Sequence, residues 1–275
     1  MKLMTYNFHF IQSCNAKCNY CFAQFPDAKG LMSHSELKKI ITLLKEHSGY
    51  KINFVGGEPT LYKQLPDLIK HARAIGFKTS IVTNGFALSS LLEQVGHDLD
   101  WIGLSIDSAK QETNLKLGRA NPKEDLPTKI KDLADLCHQY EVGLKINTVV
   151  SSVNVHEDMS EYILSLKPQR WKVFQVLPVL NQNGATINDL LISQANFNQF
   201  LERHNHLNQK GIVMVPEDNH AMTNSYAMLD PQGRFMGNEG QIQSYSDPVL
   251  EVGVIKGLKQ IGFDYEKLVD RGGVY

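Results

Sequence analysis

The chain has 275 residues, a formal net charge of −1, 42% hydrophobic residues and 21% charged residues. That length and apolar content suit one large core, as α/β barrels of this size commonly form without splitting. The near-neutral balance excludes a generally basic nucleic-acid or membrane-surface binder, so any cationic site is local. No run approaches the ~20 apolar residues of a spanning helix.

The opening residues, Met1 to Phe10, hold one lysine, no long apolar core and no small-residue cleavage site, a pattern unlike a signal peptide, and a cytoplasmic protein is expected. The first strand is predicted over 5–11. Directly after it stands Cys14-Asn15-Ala16-Lys17-Cys18-Asn19-Tyr20-Cys21. Three thiolates at this CxxxCxxC spacing can wrap one corner of a cubane cluster and leave one iron open to a small molecule. A zinc site favours paired CxxC spacings and four ligands, and no second pair exists here. The fourth cysteine, Cys137, reads as a buried helical thiol.

A helix is predicted over 33–47, opened by the capping box Ser33 and Glu36. The second strand, 51–55, runs into Gly56-Gly57-Glu58-Pro59. Two glycines permit close backbone approach to a ligand, and the Glu-Pro pair stiffens the loop. A helix over 64–75 leads to a strand over 78–82 that ends in Thr83-Asn84-Gly85. A helix over 88–95 and a strand over 101–105 follow, the latter ending in Ser105-Ile106-Asp107-Ser108, with Gly118-Arg119 downstream. Taken singly, each of these polar strand ends is also ordinary turn chemistry.

After a helix over 125–140, the strand 143–150 carries Lys145 and Asn147, two residues apart and therefore on one face. A helix over 155–166 and a strand over 171–176, with Lys172, complete six alternations. These argue for a mainly parallel sheet with right-handed crossovers. Lysines inside apolar strands either point outward to solvent or face a bound anion, because a buried charge without a partner is costly. From about residue 178 the periodicity fails except for a helix over 194–208. Residues 1–180 are read as the core, and 181–275 as an extension of the same compact unit that caps the mouth.

The CxxxCxxC motif with Tyr20 before its third cysteine, followed by GGEP after strand two, resembles the radical S-adenosylmethionine superfamily. A closer resemblance, to viperin-like nucleotide dehydratases of animals and microbes, rests on Lys51-Ile52-Asn53-Phe54, Lys145-Ile146-Asn147 and Arg170-Trp171-Lys172-Val173-Phe174-Gln175. It continues through Val215-Pro216-Glu217, Ser225-Tyr226, Arg234-Phe235 and Arg271-Gly272-Gly273.

The resemblance implies a partial (β/α)6 barrel with an irregular carboxyl-terminal extension over its mouth. It implies a [4Fe–4S] cluster on Cys14, Cys18 and Cys21. S-adenosylmethionine is then expected on Tyr20, Gly56, Gly57, Glu58, Pro59, Asn84, Ser105 and Arg119. It further implies a nucleoside triphosphate held by Lys145, Asn147, Lys172 and Arg271, and a 3′-deoxy-3′,4′-didehydro product that terminates viral or phage RNA chains. Tyr226 is the expected source of the last proton or hydrogen atom, since a phenol can deliver either. A flavodoxin or ferredoxin is the expected reductant, with no nucleic-acid or membrane partner.

This sequence departs from the animal members in three ways. It starts almost at the first strand, without their amphipathic helix, and stops at Tyr275, without their tryptophan-ended tail. Val55 replaces a serine before GGEP, and residues 236–246 lack basic groups, so the base (CTP, UTP or GTP) stays open. These departures suggest a soluble microbial enzyme of antiphage defence. Alternatives are a radical enzyme acting on another small substrate or peptide, and a non-enzyme using the cluster for structure or sensing.

Overall fold

The computed structural model describes residues 3–28, 30–270 and Gly272. Among them ten strands form one sheet: β1 Met4–Ile11, β2 Gly49–Gly56, β3 Lys78–Thr83, β4 Trp101–Ser105, β5 Gly143–Val150, β6 Arg170–Gln175, β7 Val213–Glu217, β8 Ala227–Leu229, β9 Arg234–Gly237 and β10 Ser244–Pro248. Their spatial order is β10-β9-β8-β1-β2-β3-β4-β5-β6-β7. Strands β1 to β7 are parallel to their neighbours, β8 is parallel to β1, and β9 and β10 are antiparallel.

The six predicted strands fall where expected, to within two residues. Both faces of β1 are buried, so its alternation shows in polarity and not in exposure. On β1, Tyr6, Phe8 and Phe10 join the hydrophobic core, while Thr5, Asn7 and His9 face a cavity on the other side. The helix His34–Glu46 covers the apolar face with Leu37, Ile40, Ile41 and Leu44. Its capping box forms as predicted: Ser33 Oγ accepts from the Glu36 amide, and Glu36 accepts from the Ser33 amide at 2.9 Å.

The sheet curls. Lys145 Nζ on β5 lies 3.5 Å from Asn53 Oδ1 on β2 and 3.3 Å from Ser80 Oγ on β3. In a flat sheet, strands three places apart would stand ~14 Å from each other. The curl brings the polar faces of β1 to β6 around one interior, the partial barrel that the alternation implied.

The segment beyond residue 180 is more regular than expected. Instead of only draping the mouth, it adds β7 beside β6 and places β8, β9 and β10 on the far side of β1. These strands have three to five residues, too few for a period to show in sequence. Pro216 is accommodated because β7 is an edge strand. Helices at Val249–Val252, Val254–Gln260 and Tyr265–Asp270 were also not anticipated.

The helix predicted over 155–166 begins later, at Ser160. Asn154 holds the preceding turn, accepting from the Ser151 amide at 2.7 Å and donating to Asp107 O at 2.7 Å and Val149 O at 2.9 Å. The helix expected to reach residue 208 ends as α at His204 and continues as a 3-10 turn, Asn205–Lys210.

Candidate active site

A cavity of about 730 Å³ opens at the carboxyl ends of the parallel strands and runs into the barrel. Its lining brings together Cys14, Cys18, Cys21, Tyr20, Gly56, Gly57, Asn84, Ser105, Arg119, Lys145, Asn147, Lys172 and Tyr226. Gly56, Ser105, Lys145, Asn147 and Lys172 stand on four strands, β2, β4, β5 and β6, and the others on loops far apart in the chain, so only the fold could assemble them. Glu58 and Pro59 are buried beside the lining and not part of it. Arg271 lies outside the described residues.

The cysteine loop is tied to the segment after β4. The Lys17 amide donates to Gly118 O at 3.1 Å and the Asn19 amide to Leu117 O at 3.0 Å. Gly118 must be glycine for this contact: its φ is +70°, and a Cβ there would stand 2.1 Å from Lys17 O. The Cys21 amide turns back onto Cys18 O at 3.1 Å. Asn84 reaches the loop from β3, donating to Asn15 Oδ1 at 2.8 Å and approaching Cys14 Sγ at 3.9 Å.

The glycines of GGEP line the cavity and also admit protein backbone: a Cβ on Gly57 would lie 2.2 Å from Ser13 O, and one on Gly56 2.3 Å from Ile11 O. The Gly57 amide donates to Ile11 O at 2.7 Å and the Glu58 amide to Ser13 O at 2.8 Å, setting the strand end against the residue before Cys14. The Glu58 carboxylate is fully buried and accepts from the Thr60 amide, Thr60 Oγ1, Thr83 Oγ1 and the Asn84 amide. It clamps the ends of β2 and β3 together, with all four donors at 2.6–3.0 Å.

Tyr20, Asp107 and Arg119 form one buried cluster. Arg119 Nε donates to Asp107 Oδ2 at 2.9 Å, the Tyr20 hydroxyl donates to the same carboxylate, and Arg119 also donates to the Tyr20 oxygen. Asp107 Oδ1 takes the Val149 amide at 2.9 Å. Burial opposes the Arg119 charge, but Asp107, Cys18 and Tyr20 outweigh it and keep the guanidinium cationic. In sequence Asp107 is an ordinary strand-end residue; its role appears once Arg119 folds back onto it.

Deeper in the barrel lysines gather. Lys145 is pushed down to about 7 by burial, with Arg170 adding to the effect. Lys51, fully buried on the same face of β2, is pushed to about 5 by burial and by Lys145, Lys172 and Arg170. Lys51 stands two residues before Asn53 on an apolar strand, a spacing that turns both toward one side. Gly103 on β4 leaves room for these groups, since a Cβ there would come within 2.8 Å of Lys145 Cε and 3.1 Å of Asn147 Nδ2. Lys172 Nζ is 2.5 Å from Glu217 Oε1 and donates to the Tyr226 oxygen at 2.9 Å, while the Tyr226 hydroxyl donates to Glu217 Oε2.

The residues present fit the expected groups. Thr5 Oγ1, His9 Nδ1 and Asn147 Oδ1 are buried in the cavity wall without a hydrogen-bond partner among the described residues, and such atoms normally have one. Burial raises the Cys14 thiol and takes Cys21 to about 11, so binding iron there would displace protons. No group of three His, Cys, Asp or Glu side chains among the described residues converges on a single ion. A cubane does not ask for that, because each thiolate binds a different iron.

Comparison with known proteins agrees with this geometry. The sequence model of the Radical SAM superfamily matches residues 8–165. The S-adenosylmethionine-dependent nucleotide dehydratase of Flammeovirga pacifica is 44% identical over 98% of this chain and 94% of its own length. That of Danio rerio is 35% identical over 98% of this chain and 77% of its own. In fold, the chain is similar to SuiB of Streptococcus suis solved with S-adenosylmethionine: TM-score 0.74, 15% identity, 98% of this chain and 68% of that one. The chain therefore belongs to the S-adenosylmethionine-dependent nucleotide dehydratases of the radical SAM superfamily.

Proposed function

We propose that the protein dehydrates a ribonucleoside triphosphate (CTP, UTP or GTP) to its 3′-deoxy-3′,4′-didehydro form, which acts as an antiphage chain terminator. One observation supports this most: the cysteine loop and the lysines Lys145 and Lys172 line one continuous cavity, with the buried Lys51 in electrostatic reach of both lysines. A triphosphate carries about four negative charges, and buried lysines are tolerated where an anion answers them.

In this reading Cys14, Cys18 and Cys21 hold a [4Fe–4S] cluster. Tyr20, Gly56, Gly57, Asn84, Ser105 and Arg119 surround S-adenosylmethionine, with Glu58 and Pro59 holding the loop from behind. When bound, these groups supply the 5′-deoxyadenosyl radical that takes the C4′ hydrogen. The remaining work falls to the chain itself. Lys145, Lys172 and Arg271, joined by Lys51, hold the phosphates, and Asn147 turns its amide toward the ribose or phosphate. Tyr226 supplies the proton and electron that let the 3′-hydroxyl leave as water. Residues 181–275 form one unit with the core and complete the pocket through Met222, Tyr226, Met236 and Gln243. The electron arrives from a flavodoxin or ferredoxin in the cytoplasm. No helix among the described residues is long and apolar enough to cross a membrane.

The test is anaerobic reconstitution with iron and sulfide, then S-adenosylmethionine, dithionite and each triphosphate separately, followed by mass spectrometry. A nucleotide lighter by one water together with 5′-deoxyadenosine from one triphosphate is the expected result. Equal slow deoxyadenosine release in every tube, with no nucleotide change, overturns the dehydratase reading and leaves the superfamily intact.

A further inference from the structure

We propose that Glu217 is a positioning residue for hydrogen delivery, fixing the Tyr226 hydroxyl and the Lys172 ammonium as one unit; this rests on the reading of Tyr226 as the donor. Glu217 is fully buried at the end of β7, in register with Phe174 of β6. Tyr226 directly precedes β8, which pairs with β1 on the opposite side of the barrel opening. Their hydrogen bond therefore joins β7, at one edge of the sheet, to the residue that leads into β8 on the far side of β1. Lys172 from β6 closes the set, 2.5 Å from Glu217 Oε1 and 2.9 Å from the Tyr226 oxygen.

Phosphate affinity does not account for this carboxylate. A negative group beside phosphate-binding lysines weakens attraction for an anion. What Glu217 adds is direction: one oxygen pairs with the Lys172 ammonium and the other accepts from the Tyr226 hydroxyl. The phenol is held in one orientation until the departing 3′-hydroxyl competes for its hydrogen.

In that step the Tyr226 O–H bond breaks. Its proton joins the leaving hydroxyl to make water, its electron passes to the nucleotide radical, and C3′ and C4′ become doubly bonded. Tyr226 is left as a phenoxyl radical, which the same class of one-electron reductant that serves the cluster, with a solvent proton, restores.

Glu217→Gln is the informative change. The single amide oxygen goes to the Lys172 cation, which leaves the amide NH₂ facing Tyr226 and turns the phenolic hydrogen away. Four proteins are compared: wild type, E217Q, Y226F and the double variant. Dehydrated nucleotide per 5′-deoxyadenosine is measured in the reconstituted enzyme, and triphosphate Kd is measured by calorimetry. E217Q is expected to lower the product ratio at least ~5-fold with a Kd unchanged within ~3-fold or tighter, and to add nothing in the Y226F background.

If Y226F keeps the wild-type ratio, the donor reading fails and this inference fails with it. If Y226F lowers the ratio and E217Q does not, only the Glu217 inference is overturned. It is equally overturned if E217Q weakens Kd in step with the ratio, or lowers the ratio further without Tyr226. Should E217Q not fold, E217D, which keeps the charge but withdraws the oxygens, is expected to uncouple in the same way.

Discussion

Lys145 makes triphosphate binding dependent on pH in a direction that the structure sets. Its ammonium is held down to about 7 by burial first and by Arg170 second, and it stands 3.3–3.5 Å from the neutral Ser80 and Asn53 side chains. A bound triphosphate restores the charge, so binding takes up a proton. Between pH 7 and pH 9 the fraction of free protein with Lys145 charged falls from about one half to about one hundredth, so affinity weakens on the order of 50-fold, roughly 2.3 kcal/mol. The ligand changes little in that window, because a terminal phosphate with a second pKa of about 6 is already ionised. Recharging of Lys51 on binding would steepen the fall.

The assay is calorimetry of the triphosphate at pH 7, 8 and 9, in two buffers of different ionisation heat, which reports the proton directly. Lys145→Arg is expected to flatten the profile, since a guanidinium does not titrate here. A wild-type Kd constant from pH 7 to pH 9, with no proton uptake, refutes the reasoning. The same depressed lysine has a stability consequence. Unfolded lysine holds its proton up to about pH 10.4, so the unfolded state binds more protons between pH 7 and 10 and ligand-free stability rises with pH across that window.

Two further perturbations separate structural from chemical roles. Glu58→Gln replaces a buried carboxylate that accepts four donors with an amide that must oppose at least one of them. A loss of about 2–4 kcal/mol is expected in urea unfolding of the cluster-free protein; an unchanged midpoint with lost S-adenosylmethionine binding would show instead that the carboxylate acts on the cofactor. Cys137 is fully buried, its thiol pushed up to about 12 by burial. Iodoacetamide on the native cluster-free protein is therefore expected to spare Cys137 until denaturant is added, and Cys137→Ala to keep full iron content; early labelling or loss of iron would contradict its burial.

How much of this was legible in sequence follows from the range of each signal. Local signals were enough for the cysteine loop, because three ligands within eight residues need no tertiary information to be read as a set. They also served for the capping box at Ser33 and for the six strands, whose apolar runs are long enough to carry a pattern. The inward pairing of Lys145 and Asn147 followed from strand alternation. Resemblance, and not physics, pointed to Lys172 and Tyr226 as partners in one site.

Other features depended on packing between distant segments. Strands of three to five residues carry no period, so β7 to β10 emerge only from the edges that receive them. Lys51 looked like an ordinary strand lysine until the sheet curled and buried it beside Lys145 and Lys172. Gly56 and Gly57 read as a ligand cradle, and only the fold showed that their missing side chains also admit the backbone of Ile11 to Ser13. Glu217 entered only as part of a matching stretch, Val215-Pro216-Glu217, and as one carboxylate after a proline it gave no sign of a role. The amino-acid order by itself determined the chemistry available: three thiolates, inward lysines and a parallel α/β frame. Only the tertiary structure decided which carboxylates serve as clamps and which polar groups share one cavity, because hydrogen bonds between β2 and β3, or between β6, β7 and the start of β8, join residues whose separation in the chain carries no local preference.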